Sequence, residues 1–354
     1  MEFASNSNTQ TPKQSNNLYV HFPFCRRKCS YCALYSRADV SQSDRDAYVR
    51  RLAAEIKHSN TLNSNNLATV YFGGGSPALC DLSALAPALR PLCDEETEFT
   101  VELHPLDVTA AKLDELKALG VNRISMGVQS LNDATLAAVG RGYTVDEAER
   151  AFALVKGRFD NAGIDLIVGY PGDEVWNLQR LESWGLKHCS VYSLQNERGL
   201  KDVPADDIVL DGLGNIAIFI KTMGLERYEI SNYAVPGYEC RHNLAVWRGE
   251  DYLGLGDGAC GRIGLKRTIG RRDGYGESTV EPEFDAKERL LFRLRTREGL
   301  DVSGLRSGEG AASPDVADVL AHYVREGLLV REGQVYRLTE RGTEVCDSIL
   351  ADLV

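Results

Sequence analysis

The sequence predicts an α/β fold: a partial (β/α)6 barrel, then a small β-rich segment, then a C-terminal winged-helix-like domain. Strand-like and helix-like stretches alternate six times between residues 18 and 194, which is typical of a parallel sheet covered by helices. From residue 228 the pattern becomes β-like and rich in glycine. After residue 283, two helical stretches precede a strand, a tight turn at Glu332-Gly333 and a second strand, which is the winged-helix order.

The six predicted strands are short apolar runs, and the stretches between them have helical character. The strands lie at residues 18–22, 68–72, 98–102, 121–128, 163–168 and 189–194. The helices lie at residues 44–57, 82–92, 109–119, 132–139, 145–159 and in a stretch that ends at 186. Thr109 is the predicted N-cap of the third helix, and Gly120 is its C′ residue. Functional residues are expected at the carboxyl ends of the strands, where barrels of this kind place their sites.

Four regions are expected along the chain. They are a disordered lead-in over residues 1–17, the barrel over 18–225, a β-rich segment across the barrel mouth over 226–282, and the C-terminal domain over 283–354. The lead-in is rich in Ser, Asn, Thr and Gln and lacks the apolar core of a secretory signal. No stretch approaches the roughly 18 apolar residues of a membrane span, so we predict no integral membrane segment.

Charge and cysteine content narrow the function classes. The chain has 40 basic and 51 acidic residues, a net charge of −11, which disfavours nucleic-acid binding because that depends on neutralising phosphates. The C-terminal domain has 10 basic and 14 acidic residues, so a structural or partner-docking role is favoured over DNA binding. Nine cysteines, an odd number in a chain of 354 residues, indicate a reducing compartment rather than a disulfide framework. We therefore predict a cytoplasmic protein.

Three closely spaced cysteines follow the first strand: Cys25, Cys29 and Cys32, in the pattern C-x-x-x-C-x-x-C. Thiolates are soft ligands that suit iron–sulfur clusters and zinc. A structural zinc site is closed by four ligands, whereas no fourth cysteine lies near these three. A [4Fe–4S] cluster with one open iron therefore fits better, and unpaired or zinc-binding thiols are the alternative.

The array and its flank, Tyr19-x-His21-x-Pro23-Phe24-Cys25, resemble the coproporphyrinogen III dehydrogenase and HemW group of the radical S-adenosylmethionine (SAM) superfamily. The resemblance covers the chain from about Leu18 to its end. It implies that the three cysteines hold a [4Fe–4S] cluster and that SAM chelates the fourth iron. It further implies that an electron donor supplies one electron through the cluster, which cleaves SAM to methionine and a 5′-deoxyadenosyl radical.

The resemblance also implies which residues bind SAM, and several of them stand at or just past a strand end. They are Tyr19, Tyr31, Gly74, Gly75, Ser76, Glu102, Gln129, Arg141 and Asp165. The glycine-rich stretch would hydrogen-bond the methionine part of SAM, and Glu102 would bind its amino or ribose end. Arg141 would bind the carboxylate, Gln129 and Asp165 the ribose hydroxyls, and the two tyrosines would pack near the cluster and adenine. Any one of these residues alone is more often an ordinary turn, surface or buried polar residue, so the prediction depends on the set.

A second motif points to haem. His242-Asn243 with Trp247 resembles the H-N-x-x-Y-W motif of HemW proteins, with Val246 in place of the tyrosine, and it implies His242 as a haem ligand. A hydrogen-bonded histidine in a folded-over loop is the alternative. Leu34 occupies the position of a further cysteine in the dehydrogenases, which also carry a longer N-terminal segment. Both differences favour the HemW branch.

The sequence thus predicts a HemW-like haem-binding chaperone that keeps its cluster and SAM and transfers haem to acceptor proteins. One alternative is an oxygen-independent coproporphyrinogen III oxidase, in which the 5′-deoxyadenosyl radical drives decarboxylation of two propionates of the porphyrinogen. Another is a non-enzymatic winged-helix regulator with a sensing cluster, against which the acidic C-terminal domain argues.

Overall fold

The six predicted strands pair in one parallel sheet in the computed structural model, which describes residues 15–62, 66–173, 176–303 and 314–353. The strands are β1 (Asn17–Phe22), β2 (Thr69–Gly74), β3 (Glu98–Leu103), β4 (Arg123–Gln129), β5 (Asn161–Val168) and β6 (His188–Ser193). They lie in sequence order, and each pairs in parallel with the next. β1 and β6 do not pair with each other, so the barrel is open, as predicted.

Helices cover the outer face of this sheet. They are α1 (Gln42–Lys57), α2 (Ala86–Leu89), α3 (Ala110–Leu119), α4 (Asp133–Ala138), α5 (Val145–Lys156) and α6 (Asp206–Thr222). The side chain of Thr109 caps α3 by accepting from Lys112 N–H, and Gly120 ends it at φ 101°, so both predicted caps are confirmed.

Two predicted helices take a tighter form. The stretch predicted at 82–92 is a single α-helical turn flanked by 3₁₀ turns, because Pro87 and Pro91 remove backbone donors. The helix predicted to end at residue 186 is a 3₁₀ segment, Leu178–Trp184.

The two faces of the sheet differ in chemistry because side chains alternate along a strand. On β1, Leu18, Val20 and Phe22 are fully buried in the main hydrophobic core, between the sheet and the helices. Tyr19 and His21 alternate with them and hydrogen-bond each other, with 3.0 Å between the tyrosine hydroxyl and Nδ1. The inner face of the barrel is therefore polar and available for a site.

The predicted β-rich segment extends the sheet at both edges, which the sequence did not indicate. β7 (Glu226–Arg227) and β8 (Asn232–Ala234) add antiparallel strands beyond β6. After α7 (Arg241–Trp247), β9 (Leu253–Leu255) pairs in parallel with β1. β10 (Cys260–Ile263), β11 (Lys266–Arg271) and β12 (Gly274–Thr279) form a separate antiparallel sheet.

Helix α7 begins at the amino end of the sheet. Glu98, the first residue of β3, accepts hydrogen bonds from the backbone N–H groups of Arg241 (2.9 Å) and His242 (3.0 Å). A carboxylate at this position satisfies free donors of the first helical turn. The start of α7 is thereby fixed at the end of the barrel opposite the predicted SAM residues.

The C-terminal domain has the predicted winged-helix order. Its elements are α8 (Pro282–Leu294), β13 (Leu300–Asp301), α9 (Pro314–Arg325), β14 (Leu329–Glu332), β15 (Val335–Leu338), α10 (Glu340–Glu344) and α11 (Cys346–Asp352). The strands form a small sheet in the order β13-β15-β14, and Gly333 makes the turn of the hairpin at φ 61°. The domain has its own hydrophobic core, separate from that of the barrel.

The predicted lead-in is ordered at its end. Residues 1–14 lie outside the described residues, but Ser15 is buried and its N–H donates to Thr61 O at 2.8 Å. Asn17 is already the first residue of β1. Residues 15–17 are therefore part of the folded structure. Across the described ranges, we find no helix with both the length and the apolar character needed to cross a bilayer.

Candidate functional site

A cavity of about 940 Å³ lies at the carboxyl ends of the barrel strands, at the upper end of the size range of small-molecule sites. It brings together all three cysteines of the array and most of the predicted SAM residues. The predicted residues that line it are Cys25, Cys29, Cys32, Tyr31, Gly74, Gly75, Ser76, Glu102, Gln129, Arg141 and Asp165. Tyr19 and His242 do not line it.

The cysteine loop is held by its backbone. Cys25 N–H donates to Arg37 O at 2.9 Å, and Cys32 N–H donates to Cys29 O at 3.3 Å. All three thiols are free and partly exposed to the cavity. Three soft donors from one loop fit a [4Fe–4S] cluster, which takes its protein ligands as cysteine thiolates.

The three thiols do not form a site for a single metal ion. Among the described residues, no set of three His, Cys, Asp or Glu side chains is placed to hold a metal ion. A [4Fe–4S] cluster does not need such convergence, because each cysteine binds a different iron of the cluster.

Arg141 connects the cysteine loop to the end of β4. Its Nη1 lies 3.7 Å from Cys29 Sγ and 3.4 Å from the Tyr31 hydroxyl. Its Nε donates to the Tyr143 hydroxyl at 2.9 Å, and its Nη2 donates to Gly127 O. Arg141 thus places a positive charge next to the thiols, where an anionic group of a bound ligand would be stabilised. The supporting role of Tyr143 was not predicted.

Close contacts at the end of β2 require glycine at positions 74 and 75. Gly74 has φ +104°, and its N–H donates to Glu102 at 3.0 Å. A Cβ atom on Gly75 would lie 2.4 Å from the carbonyl oxygen of Phe24, closer than real contacts allow. The glycines therefore let β2 pass beside the cysteine loop.

Asp107 is a site residue that the sequence analysis missed. Its buried carboxylate accepts hydrogen bonds from the Ser76 hydroxyl and from Arg26 of the cysteine loop. It thereby ties the glycine-rich stretch to the cysteine loop. The sequence carries no clear signal for this role, because Asp107 lies in a short 3₁₀ turn after β3, outside any motif.

Two carboxyl groups line the cavity, those of Glu102 and Asp165. Glu102 accepts from the Tyr71 hydroxyl at 2.8 Å, and burial, together with the nearby Asp165, raises the pKa of Glu102 to about 7. Asp165 accepts from the Ser125 hydroxyl at 3.0 Å, and burial raises its pKa. Desolvated carboxyl groups that repel one another are suited to bind a cationic ligand.

Gln129 combines an unusual backbone conformation with a side-chain oxygen that has no hydrogen-bond partner among the described residues. It is not glycine, yet its φ is +73°, and its Oε1 atom is buried without a hydrogen-bond partner among the described residues. Both features cost free energy, and such strain is concentrated at functional sites. A hydroxyl group of a ligand would supply the missing donor.

His242 lies away from the cavity. It is 4% exposed, and its Nδ1 is 2.7 Å from the hydroxyl oxygen of Thr69. Because that hydroxyl donates to Asn17, His242 donates through Nδ1 and its Nε2 carries the lone pair. Burial, followed by the charge of Arg123, lowers the pKa of His242 to about 3. Haem ligation by His242 remains a prediction, and it would require the ring to leave this buried position.

Tyr19 packs in the same interior group. Its ring is stacked on that of His242 with 6.3 Å between centroids, and it lies 6.1 Å from that of Tyr71. It supports the cavity floor from below rather than lining the cavity. Other residues of α7 do reach the cavity, namely Asn243, Val246 and Trp247.

Comparison with known proteins gives consistent matches. Residues 19–184 match the family model of the radical SAM superfamily, and residues 280–345 match that of the HemN C-terminal domain. The chain is 28% identical to the heme chaperone HemW of Lactococcus lactis, over 95% of this chain and 97% of that protein. It is 30% identical to the mitochondrial radical S-adenosyl methionine domain-containing protein 1 of Mus musculus, over 95% and 87%.

The fold has a match among solved structures. Coproporphyrinogen III oxidase (HemN) from Escherichia coli, described as a radical SAM enzyme, superposes with a TM-score of 0.82. That match covers 98% of this chain and 91% of the oxidase at 21% identity, so it concerns the fold alone.

Proposed function

The chain belongs to the radical SAM superfamily, in the group that contains HemW and HemN, and from this premise we propose that it is a HemW-like haem-binding chaperone that transfers haem to acceptor proteins. The observation that carries the proposal is the similarity to a protein named heme chaperone HemW over 97% of that protein's length. Leu34, in place of the further cysteine of the dehydrogenases, supports the same choice.

Cys25, Cys29 and Cys32 would hold the [4Fe–4S] cluster on which this superfamily depends. When bound, the cluster supplies the electron that cleaves SAM. Arg141 would bind the methionine carboxylate beside the cysteine loop, because its guanidinium is already fixed there by four partners.

The carboxyl groups and Gln129 would bind the rest of SAM. Glu102 and Asp165 offer acceptors to the amino group and ribose, and the unpartnered Oε1 of Gln129 offers another. Asp107 would position the glycine-rich stretch against the cysteine loop through its bonds with Ser76 and Arg26.

The proposal is tested by titrating the anaerobically reconstituted protein with haem. We expect a Soret band that saturates at a defined haem stoichiometry. In parallel, coproporphyrinogen III is supplied with SAM and a reductant. Formation of protoporphyrinogen, without saturable haem binding, would replace the proposal with the oxidase alternative.

A variant of the α7 motif tests the predicted haem ligand. If α7 opens to present His242, His242→Ala weakens haem binding and alters the Soret maximum. Arg241→Ala, on the same helix, is the matched control, because Arg241 is exposed and does not line the cavity. An unchanged spectrum for His242→Ala would place the ligand elsewhere, as its buried contacts suggest.

SAM affinity should depend on pH through Glu102. Its pKa is raised to about 7, so the carboxyl is protonated below that pH and becomes an anion above it. We expect affinity for the cationic SAM to increase as the pH rises through 7, measured by calorimetry on the reconstituted protein. The charged and titratable groups that act on Glu102 are Asp165, Tyr71 and Arg123. Glu102→Gln should bind more weakly and lose most of the slope, and an equal slope in this variant would assign the titration to another group.

A further inference from the structure

The cavity has a second end, built from residues outside the six-stranded barrel. Ile230, Val246 and Trp247 give this end an apolar lining, and Arg295 enters it from the C-terminal domain. None of these four residues belongs to the predicted SAM set. This end of the cavity is therefore lined by residues of two domains, and the predicted SAM residues do not occupy it.

Arg295 is incompletely partnered in this position. Its guanidinium carbon lies 4.7 Å from the centroid of the Trp247 ring, which fixes the plane of the side chain. Its Nη1 donates to Asp347 at 3.0 Å, but the Asp347 side chain is 92% exposed, so this pair is weak. Its Nε atom is buried and has no hydrogen-bond partner within the residues described. Leaving such a donor unpaired costs free energy that a ligand oxygen would recover.

Glu229 is the other carboxyl group at this end. It is buried, and it accepts hydrogen bonds from Ser231 N–H at 3.0 Å and from the Asn232 side chain. Burial raises its pKa, although Asn232, Ser231, Arg295 and Arg227 act in the opposite sense. No hydrogen bond joins Glu229 to Arg295 in the described structure, so the fork of Arg295 is available to a second anion.

We propose that this end of the cavity binds a carboxylate-bearing tetrapyrrole, with Arg295 receiving a propionate group and Val246 and Ile230 contacting the macrocycle. A planar guanidinium is well matched to a carboxylate, and the propionate would displace the exposed Asp347 from its contact with Arg295. The inference rests on the proposed function and adds to it a specific binding residue in the C-terminal domain. It also assigns that domain a direct part in ligand binding.

The test compares two arginines of one helical stretch. Full-length protein, reconstituted with its cluster and saturated with SAM, is titrated with haem as wild type, Arg295→Met and Arg293→Met. Arg293 loses the same charge but does not line this cavity. We expect Arg295→Met to weaken haem binding by about tenfold or more, the effect of losing a charge-assisted hydrogen bond, and Arg293→Met to leave it unchanged. SAM affinity should be the same in all three proteins.

Changing the ligand instead of the protein gives a second test, which does not depend on whether a variant folds. Haem dimethyl ester lacks the anionic carboxylates and should bind wild-type protein about tenfold more weakly than haem, yet bind Arg295→Met as it binds wild type. If wild type binds haem but Arg295→Met and the ester are unaffected, the inference is wrong and the proposed function stands. If wild type binds no haem, the proposed function fails.

A parallel titration with coproporphyrin III shows whether the site prefers haem or another tetrapyrrole that carries propionates. Tighter binding of haem supports a haem site. Tighter binding of coproporphyrin III with the same dependence on Arg295 keeps the role of Arg295 and overturns the choice of haem.

Discussion

Cys29→Ala is expected to yield a nearly colourless protein after anaerobic reconstitution, with little bound iron. The substitution removes one of only three thiols that the loop offers, and two thiolates do not hold the cluster. It also removes the sulfur that lies 3.7 Å from Arg141 Nη1. The measurements are the visible absorbance of the cluster and the iron content per chain.

Cys260→Ala is the matched control for this substitution. Cys260 is an exposed thiol on β10 and does not line the cavity, so its loss should leave the absorbance and iron content at wild-type values. If Cys29→Ala retains the cluster while remaining folded, the assignment of the three ligands is wrong.

Gly75→Ala is expected to destabilise the protein by about 1–3 kcal/mol, the usual cost of forcing extra atoms into a packed site. The added methyl group would lie 2.4 Å from Phe24 O and 2.8 Å from Phe22 O, so either β1 or the residues that follow it would have to shift. Because Gly75 N–H also donates to Phe22 O, the shift would reach the cysteine loop that follows β1. SAM affinity should therefore fall together with stability, measured by calorimetry and by denaturant unfolding.

Gly214→Ala provides the corresponding control. Gly214 lies within α6, where a Cβ atom would meet no atom within 4 Å, so alanine should stabilise the helix by up to about 1 kcal/mol. Its SAM affinity should be unchanged. Equal stability and equal SAM affinity in Gly75→Ala and wild type would show that the close approach of β2 to the cysteine loop is not required.

Local sequence patterns were sufficient to predict the barrel and the C-terminal domain. Apolar runs such as 163–168 coincide with strands of the sheet. Thr109 and Gly120 mark the ends of α3, because capping depends on residues next to the helix in sequence. Most residues of the proposed SAM set line one cavity, because parallel strands bring their carboxyl ends to one edge. Their roles in binding SAM come from the family resemblance and stay a prediction.

Contacts between distant parts of the chain were not predictable from local patterns. The hydrogen bond from His242 N–H to Glu98 joins residues 144 positions apart, and it removes His242 from the cavity that its motif suggested. Asp107 and Arg295 acquire their roles through Ser76 and Trp247, which are near in space but separated along the chain. Only the folded structure brings these pairs together.

The pairing of β1 with β9 has a consequence for synthesis of the chain. Leu18 lies opposite Leu253, so one edge of the first strand stays unpaired until more than 200 further residues have left the ribosome. Contacts so distant in sequence slow folding, and an unpaired strand edge is a template for aggregation. The nascent barrel therefore keeps this edge of β1 exposed until β9 has been synthesised.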